Sequence, residues 1–181
     1  MWYAASITTP AASEPVTVSE VKAQCRIDTS DDDTLLSRLI SGARDYVERY
    51  CNCRFASQTV TVKCDSFSDM ARFVEAPVTS ITSIKYYDTD GNEQTLSTDV
   101  YELRSDGMES AIALKYGQVW PTAQAGTRIT VVAVVGFTTV PPAVKDAILL
   151  LVSDRYENRQ STQIDDFSTV DALLSNYRRG W

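Results

Sequence analysis

Apolar residues recur at three- and four-residue steps in two stretches of the chain, and alternate with polar ones in the stretch between them. Leu36, Leu39, Ile40, Ala43, Val47 and Tyr50 fall on one face of a long helix. Ser30 followed by Asp31, Asp32 and Asp33 marks its start, because the first turn of a helix favours negative charge. A shorter helix precedes it. Thr17 with Glu20 three residues on predicts a capping box and a start near Val18. From about residue 57 the period falls to two. Segments 58–64, 72–76, 83–88, 100–103, 110–116 and 128–137 predict six short strands rich in Val, Ile, Thr and Tyr. Asp90-Gly91 and Asp106-Gly107 are the turn dipeptides expected between hairpin strands. Helical spacing returns over 140–160, where Pro141 and Pro142 suit the first turn. Val144, Ala147, Ile148, Leu151, Val152 and Tyr156 supply the stripe of that third helix. After the polar stretch 160–167, Ser168 caps a final short helix. Val170, Leu173, Leu174 and Tyr177 share its apolar face, and Arg178 and Arg179 complement its C-terminal dipole end.

The predicted fold class is α+β: a helical core of two N-terminal helices plus the C-terminal helices, with an inserted small antiparallel β-sandwich or barrel. Residues 1–15 are expected as an extended arm, 16–56 and 138–160 as the core, 57–137 as the insertion, and 161–181 as a linker and docking helix. Two surfaces need cover. Leu149 and Leu150 widen the apolar side of the third helix beyond one stripe. Either the β insertion or a neighbouring subunit covers it, and the neighbour is favoured. The last helix is too short to be stable alone. Docking on a partner is favoured over folding back onto the other helices.

Composition changes this picture mainly by exclusion. At 181 residues, 44% hydrophobic, the chain can bury a sizeable core. The longest apolar runs, 129–135 and 147–152, are too short to span a bilayer, so no membrane partner is expected. The first residues carry no Lys or Arg before Lys22 and no sustained apolar core, and are not read as a secretory signal. A net charge of −7 opposes wrapping of nucleic acid, yet an acidic wall suits a duplex that slides past without being held. Histidine is absent, which removes the commonest general base and zinc ligand together. Cys25, Cys51, Cys53 and Cys64 are read as free, mostly buried thiols, with a four-thiolate metal site as the alternative. The acidic run at 31–33 could suggest a metal or acid/base cluster, but helix capping accounts for all three residues. Asp88, Asp90 and Asn92 alternate like the first ligands of a calcium loop. Such loops want glycine sixth and glutamate twelfth, whereas Glu93 and Asp99 stand there, so a hairpin turn is expected. No catalytic residue, metal or cofactor is assigned, and the chain is not read as an enzyme.

An ordered set of segments resembles a known family. The Pro15-Val16-Thr17 start, Arg26 to Asp28, the acidic cap, and the run 43–50 are similar to tailed-phage head–tail connector proteins, also called adaptor or head-completion proteins. So are, in order, 116–121, the strand ending Val135-Gly136-Phe137, the helix 141–152, and 155–159. The resemblance spans about 15 to 179. It implies a structural virion protein at the head–tail junction, present in the host cytoplasm during assembly. The family forms rings, usually twelve-fold, beneath the portal protein, extending the DNA channel toward stopper or tail proteins. It carries no catalytic motif. The C-terminal segment of the family reaches the portal, which carries over here to Val170, Leu173, Leu174, Tyr177, Arg178, Arg179 and Trp181. For the ring, subunit contacts are expected from Arg38, Arg44, Asp45 and Glu48 on the second helix and from Leu149 and Leu150 on the third. The alternative is a β-sandwich module binding carbohydrate or calcium through Tyr86, Tyr87 and Trp120.

Overall fold

The computed structural model describes residues 1–159 and 168–180; the predicted linker and Trp181 lie outside the described residues. Contacts divide the chain into two units, Met1–Ala12 with Ser57–Thr138, and Ser13–Ala56 with Thr139–Trp181.

The β unit holds β1 (Ser6–Thr9), β2 (Gln58–Cys64), β3 (Val78–Tyr87), β4 (Glu93–Thr95), β5 (Tyr101–Asp106), β6 (Glu109–Leu114) and β7 (Ile129–Val135). Five of these form one antiparallel sheet in the order β1-β2-β7-β3-β4, and β5 with β6 forms a separate hairpin. The last strand lies at the centre, and its sequence ITVVAVV is the nearly continuous apolar run expected of a strand paired on both sides. Ile129, Val131, Ala133 and Val135 are all buried, and so are Val60, Val62 and Cys64 of its neighbour β2. Their register runs from Gln58↔Val135 to Cys64↔Ile129, so the insertion begins and ends side by side. Tyr101 and Ile112 of the hairpin enter the same core, with Phe67, Phe73 and Ile84. The sheet stays open, with β1 and β4 at its edges, and no barrel closes.

Three strand expectations need correction. Residues 72–76 form no strand. They follow a 3-10 turn (Phe67–Ala71) and wrap around the buried Ser110. The Phe73 amide donates to the Ser110 carbonyl at 2.7 Å, the Val78 amide to its hydroxyl at 3.2 Å, and Pro77 between them has no amide to donate. β3 begins at Val78 and not at 83, with register shifts after Val78 and Ile81. β1 and β4 were not anticipated at all. Both are exposed edge strands, so neither has an apolar face to betray it.

The helical unit consists of α1 (Val18–Cys25), α2 (Asp33–Cys51), α3 (Pro142–Asn158) and α4 (Thr169–Leu174), followed by a 3-10 turn at Ser175–Tyr177. The α1 capping box is present in both directions: the Thr17 amide donates to Glu20 Oε2 at 2.6 Å and the Glu20 amide to Thr17 Oγ1 at 3.2 Å. α2 starts at Asp33, later than Ser30 suggests. Asp32 occupies the N-cap but makes no capping bond, because its Oδ2 accepts the Tyr156 hydroxyl at 2.6 Å; Asp33 pairs with Lys22. Leu36, Ile40, Ala43 and Val47 of α2 meet Val144, Ala147, Ile148 and Val152 of α3 in a core from which water is excluded. Each large side chain buried there is worth about 1.5–3 kcal/mol.

Candidate functional site

The helical unit carries nearly all the residues singled out for contacts, and it sorts them into two groups. Arg44 and Glu48 face inward. Only 1% of the Glu48 side chain is exposed. Its Oε1 accepts the backbone amides of Phe55 at 2.9 Å and Ala56 at 3.1 Å, holding the turn that follows α2. Its Oε2 accepts Arg44 Nη1 at 3.1 Å and lies 3.7 Å from Arg54 Nη1. Arg44 Nε also donates to Glu14 Oε2 at 2.7 Å, and Glu14 accepts the Ser41 hydroxyl. Burial works against the Arg44 charge, but the hydrogen bond to Glu14 and the field of Glu48 more than offset it and raise its pKa. These two residues therefore hold their own unit together. Arg38 is exposed, Asp45 is half-buried and paired with Arg49, Leu149 is half-buried, and Leu150 is 36% exposed.

The C-terminal segment also packs within its own unit. Ser168 caps α4, its hydroxyl accepting the Asp171 amide at 3.2 Å. Leu174 is wholly buried, and Val170, Leu173 and Tyr177 are half-buried. The Arg179 amide donates to the Cys51 carbonyl at 2.8 Å, and Arg179 is only 9% exposed. Tyr177 meets Phe55 edge-on at 6.1 Å. Folding back was the less favoured expectation, and it is the arrangement observed. Six residues of helix cannot stand alone, and the end of α2 offers an unpaired carbonyl and an aromatic to receive them.

Aromatic stacking fixes the same surface. Tyr46 and Tyr50 lie one turn apart on α2 with centroids 6.2 Å apart; Arg155 of α3 covers the first ring at 5.7 Å and Arg178 the second at 4.7 Å. The Tyr50 hydroxyl donates to Asp171, which raises the phenol's pKa. Hydrogen bonds from Ser168 and then from Tyr50 hold the Asp171 carboxyl down at about 2.

The sequence reasoning missed a groove beside this stack. Leu35 and Leu39 of α2 line it together with Arg38, Arg155 and Arg159, around a volume of about 460 Å³. Arg155 in the last turn of α3 and Arg159 at its C-cap stand four apart with no acid at helical spacing between them to answer both, and that was the available signal.

The alternative sites do not assemble. Trp120 stacks on Phe67 at 5.0 Å and Tyr86 meets the same ring edge-on at 5.6 Å, so they pack inward and do not make a platform with Tyr87. In the hairpin, Asp88 Oδ1 accepts the amides of Asp90 at 3.0 Å and Asn92 at 2.9 Å, and Oδ2 accepts Gln94. Both carboxylate oxygens thus serve the turn. The four cysteines are free; Cys25 faces Ser153 at 3.3 Å, Cys51 and Cys53 share a hydrogen bond, and burial pushes Cys64 up to about 12. Among the described residues no group of three His, Cys, Asp or Glu could hold a metal ion.

No curated protein matches the chain. Among solved structures, a chain from the neck of an empty gene transfer agent (GTA) particle computed with C6 symmetry has a TM-score of 0.81 at 19% identity, covering 99% of this chain and 97% of that one. A chain from the virion of a native GTA particle gives 0.80 at 20% identity, with the same coverage. One from the neck of a native particle computed with C12 symmetry gives 0.71 at 19%, covering 97% of each chain. The shared fold thus runs nearly end to end. The sequence itself matches the family model of the phage gp6-like head-tail connector protein over residues 15–115, more than half its length, and the chain belongs to that family.

Proposed function

We propose that this protein is a structural component of the head–tail junction of a phage-type particle, where it forms a ring beneath the portal. The observation that carries the reading is the near-complete fold match to neck chains, added to family membership over 15–115. The neck particles computed with C6 and C12 symmetry support a cyclic assembly, and closed rings arise from head-to-tail contacts. In that ring the net charge of −7 lines a path along which DNA slides without being gripped. The portal contact is assigned to the outward side of the C-terminal segment, namely Arg178 and the uncovered parts of Val170, Leu173 and Tyr177; the family resemblance adds Trp181, which lies outside the described residues. Leu174 contributes by anchoring α4 in the helical unit and Arg179 by tying the segment to the end of α2. The opposite end of the ring receives stopper or tail proteins.

Negative-stain imaging of the purified protein, alone and mixed with its portal, tests the reading. Rings that seat coaxially on the portal are expected. A protein that stays monomeric under both conditions overturns it.

A further inference from the structure

The Arg-lined groove and the outer face of α3 complement one another, and this goes beyond the assignment of single residues to a subunit contact. The groove has an apolar floor of half-buried Leu35 and Leu39 and a rim of Arg38, Arg155 and Arg159. Among the described residues, none of these three guanidinium groups pairs with a carboxylate. Arg155 lies over Tyr46 and Arg159 over Tyr156, each at 5.7 Å. The nearby Asp32 is engaged by the Tyr156 hydroxyl. A basic groove that no described carboxylate answers, in a chain of net charge −7, calls for an acidic, partly apolar occupant.

The outer face of α3 has that character. Asp146, Leu150, Asp154 and Glu157 follow at steps of four, four and three, so they form one stripe. All four are exposed, and Leu150 is the exposed large apolar residue of the helix. Asp154 accepts the Asn158 amide at 2.7 Å; Asp146 and Glu157 flank the leucine from either end. At 100° per residue, Arg155 points roughly 140° round the helix axis from Leu150. One molecule cannot bring the two surfaces together. Two molecules can, and the separation makes the contact head-to-tail, not two-fold.

The geometry points to the α3 stripe of one subunit seated in the α2–α3 groove of the next, Leu150 on Leu35 and Leu39, with the flanking acids answering the arginines. This rests on the ring reading and names its contact. Repeated around the circle, the contact uses every subunit once as donor and once as acceptor.

Complementary charge reversals on the full-length protein test it. One variant carries Arg38→Glu and Arg159→Glu, so that acid meets acid at every contact. A second carries Asp146→Lys and Glu157→Lys, so that base meets base. All four positions are exposed, and thermal unfolding of each monomer is expected to match wild type. Mass photometry over a concentration series, with and without portal rings, reads assembly. Each variant alone should require at least tenfold more protein to assemble, and an equimolar mixture should return to within threefold of wild type, because alternating subunits restore opposite charges throughout. If wild type assembles and the mixture does not recover, the pairing is wrong while the ring stands. If the mixture recovers only as dimers, the head-to-tail arrangement is overturned. If wild type assembles under neither condition, the ring reading falls and the pairing with it.

Discussion

Replacing Glu48 by alanine should damage the folded subunit itself, and the size of the effect follows from the groups its carboxylate holds. The carboxylate is 1% exposed, accepts two backbone amides at 2.9 and 3.1 Å, and faces Arg44 at 3.1 Å and Arg54 at 3.7 Å. Alanine leaves the Phe55 and Ala56 amides without this acceptor inside the protein, at about 1–3 kcal/mol each. Arg44 keeps Glu14, which limits the charge penalty. Breaking a buried pair by removing one member costs about 3–5 kcal/mol as a whole, and that range is the expectation here. For a chain of this size it lowers the Tm by roughly 6–20 °C. Glu48→Gln keeps an oxygen for the two amides and loses only the attraction to the arginines, so it should cost about half as much. Urea unfolding of the monomer, followed by helical circular dichroism, measures both. The control is Arg38→Glu, an exposed change expected to leave stability within about 0.5 kcal/mol of wild type. A Glu48→Ala monomer that unfolds within about 1 kcal/mol of wild type yet fails to assemble would show that the carboxylate serves a neighbour, and the buried-network argument would be refuted.

Four further outcomes are expected. Leu174→Ala removes a fully buried side chain and should destabilise the helical unit by about 2–5 kcal/mol, whereas Arg178→Ala should leave monomer unfolding nearly unchanged and weaken attachment to portal-bearing heads; the reverse pattern would place the segment on a partner. The Asp171 carboxyl is held at about 2 against an ordinary 3.8, so the stability it contributes is complete above pH 4 and is lost as pH falls toward 2; a pH series in which Asp171→Asn shows the same acid slope as wild type contradicts this. Tyr50 is shifted the other way, upward, so its share of the same hydrogen bond is complete below pH 10 and lost as pH rises beyond that, which Tyr50→Phe should abolish in alkaline titration of stability. Gly91 sits at φ +84° at the β3–β4 turn with open space around it, so Gly91→Ala should cost about 1 kcal/mol through backbone strain alone, and a neutral result in thermal unfolding would dismiss that account.

Local chemistry alone determined much of this protein. The Thr17–Glu20 box, the Pro141-Pro142 start and the alternation of β2 and β7 are settled by neighbours within a few residues, because helix caps and strand faces depend on short spacings. The ordered segments that resemble connector proteins are legible for the same reason, since each is a short local run. What escaped the sequence was every choice of partner across distance. Ser6–Thr9 reads as a polar arm until Ser57 onward offers it an edge to pair with. Residues 72–76 alternate well enough for a strand, yet Ser110, far along the chain, claims their backbone. Glu48 and Arg38 look alike as charges on one helix. Only the fold turns the first toward Phe55 and Ala56 and leaves the second on a groove rim with Arg155 and Arg159. A side chain's charge is written in the sequence; whether water or a buried amide answers it is decided by tertiary packing, because the cost of an unanswered polar group depends on what surrounds it.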